Sequence, residues 1–533
     1  DLRTRYDAGQ FDDAIRLFTA LVYQFPTAKE GPISAHLVLD AYRNIEDYAG
    51  LIDAGKTFQK MANLGDSEFK SEVAEIVKGA ENKLLDTATL DAADEDKGKS
   101  GSEALEEIAK KFKGTELECK ALTNAFVTAR SQGDTDRVLE VGEKLIRACP
   151  TSDKLPDVLA TMGKVSVNAF MFARGADYLA AGARRKGGAE GADMHKAACT
   201  IRAGLGLGKR ALQSLNTYLR EGQDAAAKAD LAVKVARLHV QAGEWDAVIS
   251  LLNKAMGQGA QGAEMMYLLG YAYYRQGQCP SAEAFLAQAA AAGRGGTDDE
   301  KEAAAASQFY LGECAFKTFE SVTLSSDLSQ LGPTLQSKLA AMTQTRAAYT
   351  AVVGLGSAVW SVAALGRLSS VDAAAAESLR SLALPEGLPE EAVKQVKGVV
   401  EARAVPLAKE SREALKQCRK TALKLKVLSE AARSCLAGKA PTGDPQTSKP
   451  GPRVNRTRPK GADALQRRLA KNPRDLKTIA KLGRLYIQGG NPYMARMVLG
   501  KGLEVRETSD LLNLVGVASH SLGETQTALA MFN

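Results

Sequence analysis

One spacing of glycine, aliphatic and alanine residues recurs along the chain at a nearly fixed interval. In the middle of the chain five positions recur 34 residues later: Gly243, Trp245, Val248, Leu252 and Ala255 return as Gly277, Cys279, Ala282, Leu286 and Ala289. Near the end of the sequence, the spacing recurs 33 residues later: Gly490, Ala495 and Leu499 return as Gly523, Ala528 and Phe532. A period of this length is typical of a repeat architecture, and it constrains the fold more than any single reactive residue does.

The residue types at these positions predict pairs of helices. Glycine lets the chain turn at φ values that other residues resist, and a small residue lets neighbouring helices approach closely. Upstream of the second turn, Met266, Leu269, Gly270 and Tyr273 stand at i, i+3, i+4 and i+7, which is one face of a helix. A pair of short helices cannot bury such a stripe alone, so successive pairs must stack.

This pattern resembles the tetratricopeptide repeat (TPR), a 34-residue helix-turn-helix unit. The same spacing begins at Gly9 and at Gly133. The chain is 45% hydrophobic and 25% charged, which is typical of a globular protein. We therefore predict an all-α fold, a TPR-like α-solenoid of stacked antiparallel helix pairs with an irregular helical insert. The alternative is a set of amphipathic helices in a non-repetitive α-protein.

The fidelity of the period divides the chain into four predicted parts. Residues 1–320 follow it as TPR-like helical repeats, and residues 321–437 depart from it as an irregular module of long helices. Within that module, Pro389 followed by Glu390 and Glu391 predicts the start of a helix. Residues 438–461 form a Pro-rich basic linker, and residues 462–533 form a C-terminal TPR pair that we interpret as truncated.

The linker is defined by its composition. It holds five prolines and six lysines or arginines, and Asp444 is its one acid. A segment this polar predicts a solvated spacer. Its cations leave open an interaction with nucleic acid or anionic lipid, although no aromatic residue stands among them to stack on bases; the cations at its end are Arg453, Arg456, Arg458 and Lys460.

Residues suited to catalysis or metal binding are scarce in the sequence. The four histidines are scattered, and His195 and Cys199, one helical turn apart, lack a second pair of metal ligands. The run from Gly204 to Lys209 fails as a phosphate-binding loop because Arg210 stands where Ser or Thr is needed. We therefore expect no enzyme active site, no metal and no cofactor.

The seven cysteines are spread too thinly for a small disulfide scaffold. Two pairs are placed where a bridge could form. Cys119 begins the first helix of a predicted pair and Cys149 ends the second, so antiparallel pairing brings them together, and Cys418 and Cys435 flank a predicted turn. They would be bridged in an oxidising compartment and reduced in a cytosol. Cys279 takes the place of Trp245 in the next repeat, so we expect a buried thiol there.

A second, more local resemblance concerns the irregular module. Residues 384–391 (LPEGLPEE) and 404–409 (AVPLAK) look like a module inserted between TPR units in deltaproteobacterial envelope proteins, among them components of the myxobacterial gliding machinery. This resemblance implies a periplasmic or outer-membrane-associated location in a Gram-negative bacterium. A cytoplasmic location is the alternative.

The functional prediction is a non-enzymatic scaffold for protein-protein interaction, with peptide segments or helices of other proteins bound in the concave groove. Such a scaffold would suit an envelope complex such as a gliding apparatus. Three tyrosines off the core stripe are the best candidate surface, and four cations are candidates to bind acidic groups of a partner; these residues are Tyr267, Tyr271, Tyr274, Lys234, Arg237, Lys481 and Arg484. The alternative for the tyrosines is packing beneath a neighbouring helix.

Two other functions remain open from the sequence. The chain would be the TPR segment of a larger enzyme, or it would bind anionic lipid or nucleic acid through its basic linker. A receptor for chaperone tails is disfavoured, because Asn124 alone matches the asparagines that this TPR subset uses.

Overall fold

The computed structural model of the protein describes residues 2–94, 98–384, 388–442, 444–445 and 454–532. Within those ranges all regular structure is helical. The chain divides into two compact units, Asp1–Met162 and Gly163–Asn533. No helix in the described ranges is long and apolar enough to cross a membrane.

Unit 1 consists of helices, the first eight of which pack against their sequence neighbours as antiparallel pairs. They are α1 (Leu2–Asp7), α2 (Phe11–Gln24), α3 (Glu30–Asn44), α4 (Tyr48–Lys60), α5 (Ser67–Ala93), α6 (Gly98–Lys111), α7 (Glu116–Ser131), α8 (Thr135–Ala148) and α9 (Leu155–Asn168), the last of which runs into unit 2.

Unit 2 also contains paired helices and then departs from that arrangement. Its regular helices are α10 (Phe172–Lys186), α11 (Gly188–Gly204), α12 (Gly208–Glu221), α13 (Ala225–Ala242), α14 (Trp245–Gly257), α15 (Ala263–Arg275) and α16 (Cys279–Ala292). Longer helices follow: α17 (Asp298–Ser321), α18 (Leu328–Val353), α19 (Ala358–Arg380), α20 (Glu390–Lys424) and the short α21 (Glu430–Leu436). The final block contains α22 (Ala462–Lys471), α23 (Leu476–Gln488), α24 (Pro492–Val505), α25 (Ser509–Ser521) and α26 (Thr525–Phe532).

The recurring glycines form the turns of the helix pairs, as the period predicts. Gly243 between α13 and α14 has φ +72°, and Gly277 between α15 and α16 has φ +78°. Glycine adopts this left-handed conformation without the steric cost that other residues incur. Within α15, a Cβ at Gly270 would lie 2.7 Å from Leu286 Cγ of α16, so the missing side chain lets the two helices approach closely.

The repeated apolar positions form the core of each pair. Val248, Leu252 and Ala255 of α14 are fully buried, and Ala282, Leu286 and Ala289 of α16 are buried in the same way. The predicted all-α architecture of stacked antiparallel pairs is confirmed, and the predicted helix start after Pro389 is confirmed by α20. The long helices α18, α19 and α20 lie within residues 321–437, the predicted irregular insert, whereas the long helix α17 precedes it.

The final block of helices folds back onto earlier helices of unit 2. Its core includes Ile479, Leu482 and Leu499 together with Phe172 and Leu205. The glycine-rich turn after α11 provides the contact surface, because a Cβ at Gly206 would lie 2.8 Å from the Tyr493 ring and a Cβ at Gly204 would lie 2.6 Å from Met497 Sδ. The run that resembles a phosphate loop is therefore a docking turn.

Candidate functional site

A cluster of four tyrosines lies where α15 and α17 pack together. Tyr267, Tyr271 and Tyr274 of α15 face Tyr310 of α17, and we call these four residues the tyrosine cluster. The ring centroids of Tyr271 and Tyr310 are 4.8 Å apart, and those of Tyr274 and Tyr310 are 5.0 Å apart. These separations fall in the favourable range for aromatic pairs.

The cluster occupies the face formed by the first helices of successive pairs. Besides its own partner, each of α11, α13, α15, α17 and α19 packs against the next in that series. In a stacked solenoid, the helices that contact one another along such a row line its inner face. The tyrosine cluster thus lies within this row, between α15 and α17.

The carboxylate of Asp444, from the predicted linker, lies against this cluster. Tyr310 donates a hydrogen bond of 2.6 Å to Oδ1, and Tyr271 donates one of 3.0 Å to Oδ2. Arg275 at the end of α15 donates to both Tyr271 Oη, at 2.8 Å, and Asp444 Oδ2, at 3.2 Å. The guanidinium of Arg275 also stacks 4.6 Å from the Trp245 ring.

A second carboxylate, Glu313 of α17, organises the neighbouring part of the site. Arg367 of α19 forms a bidentate ion pair with Glu313 at 2.7 and 2.8 Å, and Tyr349 of α18 donates at 2.7 Å. The remaining Arg367 nitrogen, Nη1, donates 3.1 Å to the backbone carbonyl of Pro441. Arg367 therefore connects a buried ion pair with the backbone of the linker segment.

The fit of Pro441 depends on Gly366 of α19. A Cβ at Gly366 would lie 2.4 Å from Pro441 Cγ, so any larger residue would collide with the proline ring. Together, Gly366 and Arg367 hold Pro441 while Tyr271, Tyr310 and Arg275 hold Asp444. We call this arrangement the segment clamp.

Burial keeps the tyrosine hydroxyls protonated. It raises the pKa of Tyr310 and of Tyr267 well above the usual tyrosine range, and it raises the pKa of Tyr271, with the Asp444 carboxylate adding to the effect. A hydroxyl that retains its proton is a donor to a carboxylate. The Tyr267 hydroxyl is buried and has no hydrogen-bond partner in the structure.

The three tyrosines are not exposed in the way expected of a candidate surface, and their contact with a partner stays a prediction. Tyr267 is 7% exposed and Tyr271 is 1% exposed, while Tyr274 is half-buried. Their burial is explained in part by the alternative prediction of packing beneath a neighbouring helix, because Tyr310 of α17 covers them. The Asp444 segment also contacts them, which the periodicity of α15 gives no means of anticipating.

The four predicted cations are exposed, and most already have acidic partners in the chain. Lys234 pairs with Asp230 at 2.6 Å on the same helix. Arg237 of α13 pairs with Glu264 of α15, and Arg484 of α23 pairs with Asp510 of α25. Lys481 lies one turn before Arg484 on α23 and is exposed. Their contact with a partner stays a prediction.

The structure joins both predicted cysteine pairs. The Cα atoms of Cys119 and Cys149 are 5.8 Å apart, and those of Cys418 and Cys435 are 5.9 Å apart, with a disulfide between each pair. The expectation for Cys279 is wrong, because it forms a third disulfide with Cys314 at a Cα separation of 5.6 Å. The match of Cys279 to Trp245 in the preceding repeat predicts the position of Cys279 on α16. It does not predict that α17 places Cys314 beside it.

The linker contacts the folded chain at several points, although Arg456, Arg458 and Lys460 are exposed. Arg456 donates to the carbonyls of Leu205, at 3.1 Å, and Gly206, at 2.8 Å, and Arg458 pairs with Asp463 and Gln466. The composition of the linker does not predict these contacts, because they are hydrogen bonds and ion pairs of polar side chains and need no apolar residues. Arg453 lies outside the described residues.

His195 and Cys199, the one candidate pair of metal ligands, lie a turn apart on α11. No three His, Cys, Asp or Glu side chains there gather to hold a metal ion. His195 is buried and burial lowers its pKa, while Cys199 beside it is a buried thiol whose pKa burial raises to about 12. Both groups are thus held in their neutral forms.

Sequence reasoning missed most of the residues that form the site, which are Arg275, Tyr310, Glu313, Arg367 and Asp444. One signal was available, since Asp444 is the one acid in an otherwise basic linker. Its charge distinguishes Asp444 from the cations of the linker, but nothing in the sequence says that its partners lie on α15 and α17.

Comparisons with known proteins leave the chain without an assigned family. No protein-family model matches the sequence, and no curated protein matches it. Among solved structures, the crystal structure of the APC/C hetero-tetramer Cut9-Hcn1 matches at 12% sequence identity, covering 97% of this chain and 95% of that chain, with a TM-score of 0.21. A TM-score this low supports no conclusion on fold, partner or function, so the helix pairs described above rest on the structure of this chain alone.

Proposed function

We propose that this protein is a non-enzymatic scaffold that binds other proteins along the inner face of its helical repeats. The observation that carries the proposal is the continuous row of first helices from α11 to α19, which presents a site of aromatic, cationic and hydrogen-bonding groups. Aromatic residues and arginine dominate the energetics of protein interfaces. A solenoid offers such groups along an extended surface.

The three disulfides support a location in an oxidising compartment, such as the periplasm of a Gram-negative bacterium. An envelope complex is therefore the setting we propose. Membership of a gliding apparatus rests on the resemblance of residues 384–391 and 404–409, and the comparisons add nothing to it.

Binding of anionic lipid or nucleic acid through the linker is not favoured. Arg456 and Arg458 are engaged with carbonyl groups and an acid of the chain itself. A cation used in this way contributes less to counterion release than a free one.

The scaffold proposal is tested by chemical cross-linking in native cells followed by affinity purification of the tagged full chain. The expected result is one or more proteins cross-linked to the inner face, mapped to peptides from α11 to α19 or α23. A variant with Lys234, Arg237, Lys481 and Arg484 replaced by alanine should recover less of those proteins. Cross-links confined to the outer helices, or none above an untagged control, would refute the proposal.

A further inference from the structure

The linker segment is held by the segment clamp at two points three residues apart. The carbonyl of Pro441 accepts from Arg367 Nη1 at 3.1 Å, and the carboxylate of Asp444 accepts from Tyr310, Tyr271 and Arg275. Backbone and side chain are thus both recognised. This is how an extended peptide is commonly bound, with main-chain hydrogen bonds supplying affinity and individual side chains supplying specificity.

The donors around Asp444 match a carboxylate closely. The Asp444 side chain is 14% exposed, and a carboxylate that is removed from water must regain its hydrogen bonds from the protein. Two neutral hydroxyls and one guanidinium supply them from two helices, α15 and α17. Charge-assisted hydrogen bonds of this kind are about twice as strong as neutral ones.

The site also has a donor that its present occupant leaves unused. Tyr267 stacks 6.1 Å from Tyr271 and 6.3 Å from Tyr310, and its buried hydroxyl has no hydrogen-bond partner. Native proteins pair nearly all buried polar groups. An unpaired hydroxyl beside a bound carboxylate indicates a site that can accept a ligand with more acceptor atoms than Asp444 presents.

We propose that the segment clamp is a recognition site for an extended, proline-containing segment of a partner protein that carries an internal acidic residue, and that Pro441 and Asp444 occupy this site as a ligand in cis. The inference rests on the proposed scaffold function and specifies its partner chemistry. A partner binds by displacing Pro441 and Asp444 from the segment clamp.

Attachment in the same chain makes the cis segment a strong competitor. Pro441 follows the end of α21 at Leu436 by a few residues, and short tethers give effective concentrations on the order of millimolar. A partner segment of similar sequence therefore has to overcome this occupancy. Weakly binding acidic peptides therefore do not displace the cis segment. A partner segment displaces it when it also accepts a hydrogen bond from Tyr267 or when it is present at high local concentration.

The test uses a fluorescein-labelled peptide with the sequence of residues 439–446 (KAPTGDPQ) and measures its binding to the full chain by anisotropy. The Asp444→Asn variant removes the charge that holds the cis segment but keeps its shape. It should bind the peptide at least ten-fold more tightly than the wild type. A peptide with asparagine in place of its aspartate should bind Asp444→Asn at least ten-fold more weakly.

A matched control and a site variant isolate the groove. Asp153→Asn removes the same charge from a side chain that is 81% exposed in unit 1, and it should bind the peptide as weakly as the wild type. Adding Tyr271→Phe and Tyr310→Phe to Asp444→Asn keeps both rings but removes two donors, so the ten-fold gain should disappear. Helical content and melting temperature, measured by circular dichroism, should match those of Asp444→Asn.

Equal peptide binding by the wild type and Asp444→Asn, or binding that does not depend on the aspartate of the peptide, would overturn the proposal. Loss of the tyrosine hydroxyls without effect on binding would do the same. These outcomes leave the scaffold proposal standing if cross-linked proteins are still recovered from cells. Loss of both the peptide binding and the recovered proteins would refute both proposals.

Discussion

At the scale of single residues, the chain places ionisable groups in buried positions and gives them partners. Asp372 of α19 is 2% exposed and contacts Arg346 of α18 at 2.9 Å, while Glu410 of α20 contacts the same arginine at 2.5 Å. Cys199, by contrast, is a buried thiol whose pKa burial raises despite the opposing charges of Arg202 and Lys234, so the thiol stays neutral. The two residues lead to different predictions.

Asp372 should make stability depend on pH in a specific direction. Burial raises its pKa to about 6, above the unfolded value, so the folded state binds its proton more tightly. Its contribution is most favourable below pH ~4 and is lost as pH rises through about 6. The free energy of unfolding of Asp372→Asn should therefore rise relative to that of the wild type as pH increases. The expected change is roughly 2 kcal/mol between pH 4 and 7.5, at about 1.4 kcal/mol per pKa unit. Urea unfolding at both pH values measures this, with the exposed Asp298→Asn as control, and parallel pH profiles would contradict it.

Cys199 should be the one thiol that reacts when the oxidised protein unfolds. The other six cysteines form the three disulfides, and burial raises the pKa of Cys199 to about 12. A buried thiol with so little thiolate is inert. Titration with Ellman's reagent should find no reactive thiol in the native state, one in guanidinium chloride, and all seven after reduction. Three or more thiols on unfolding without reductant would show that a bridge is missing.

At the scale of elements, glycine serves two purposes that the sequence does not separate. Gly243 forms a turn within a helix pair and nothing lies within 4 Å of its missing Cβ. Gly206 forms a similar turn with φ +66° but also receives the Tyr493 ring of α24. The close approach of Tyr493 to Gly206 is a tertiary contact between helices far apart in the sequence.

Replacing each of these glycines by alanine should separate the two effects. Gly243→Ala should cost about 1–2 kcal/mol because of the left-handed conformation alone. Gly206→Ala adds a collision with Tyr493 and should cost about 1–3 kcal/mol more, as overpacking does. Protease cleavage of residues 454–532, measured together with chemical unfolding, should rise in Gly206→Ala and stay unchanged in Gly243→Ala. Equal behaviour of the two variants would mean that the final block does not dock at this turn.

The same contrast explains which parts of the fold the sequence predicts. The turns at Gly243 and Gly277 and the buried positions of α14 and α16 depend on neighbours within one repeat, so a period of 34 residues predicts them. The contact of Asp444 with Tyr271 spans 173 residues and involves polar groups with no period. Local patterns therefore predict the helix pairs and place the tyrosines on the first helices, but they do not predict what covers them.

At the scale of the whole molecule, the disulfides tie neighbouring helices rather than distant ones. Cys119 and Cys149 are separated by 30 residues, Cys279 and Cys314 by 35, and Cys418 and Cys435 by 17. The bridge from Cys279 joins α16 to α17, which connects one helix pair to the next beside the tyrosine cluster. Stability of the repeats should thus depend on the redox state of the protein.

Removing the Cys279–Cys314 bridge should destabilise unit 2. A loop of this length corresponds to about 3–4 kcal/mol in the chain-entropy description. The double variant Cys279→Ser with Cys314→Ser should melt at a lower temperature than the wild type without reductant, and the difference should shrink in the presence of a phosphine reductant. Cys199→Ala, which alters a cysteine outside the bridges, should show no such dependence on reductant. A reductant-independent difference would point to lost packing instead.

The position of the bridges has a further consequence for a chain under tension. A solenoid pulled from its two ends lengthens as helices detach, and a stretched chain gains about 3.4 Å per released residue. A disulfide between neighbouring helices carries the load past the residues it encloses, so each bridged loop withholds roughly 60 to 120 Å of extension. Helices such as α8, which lies between Cys119 and Cys149, are spared the pull altogether and retain their fold while unbridged repeats yield.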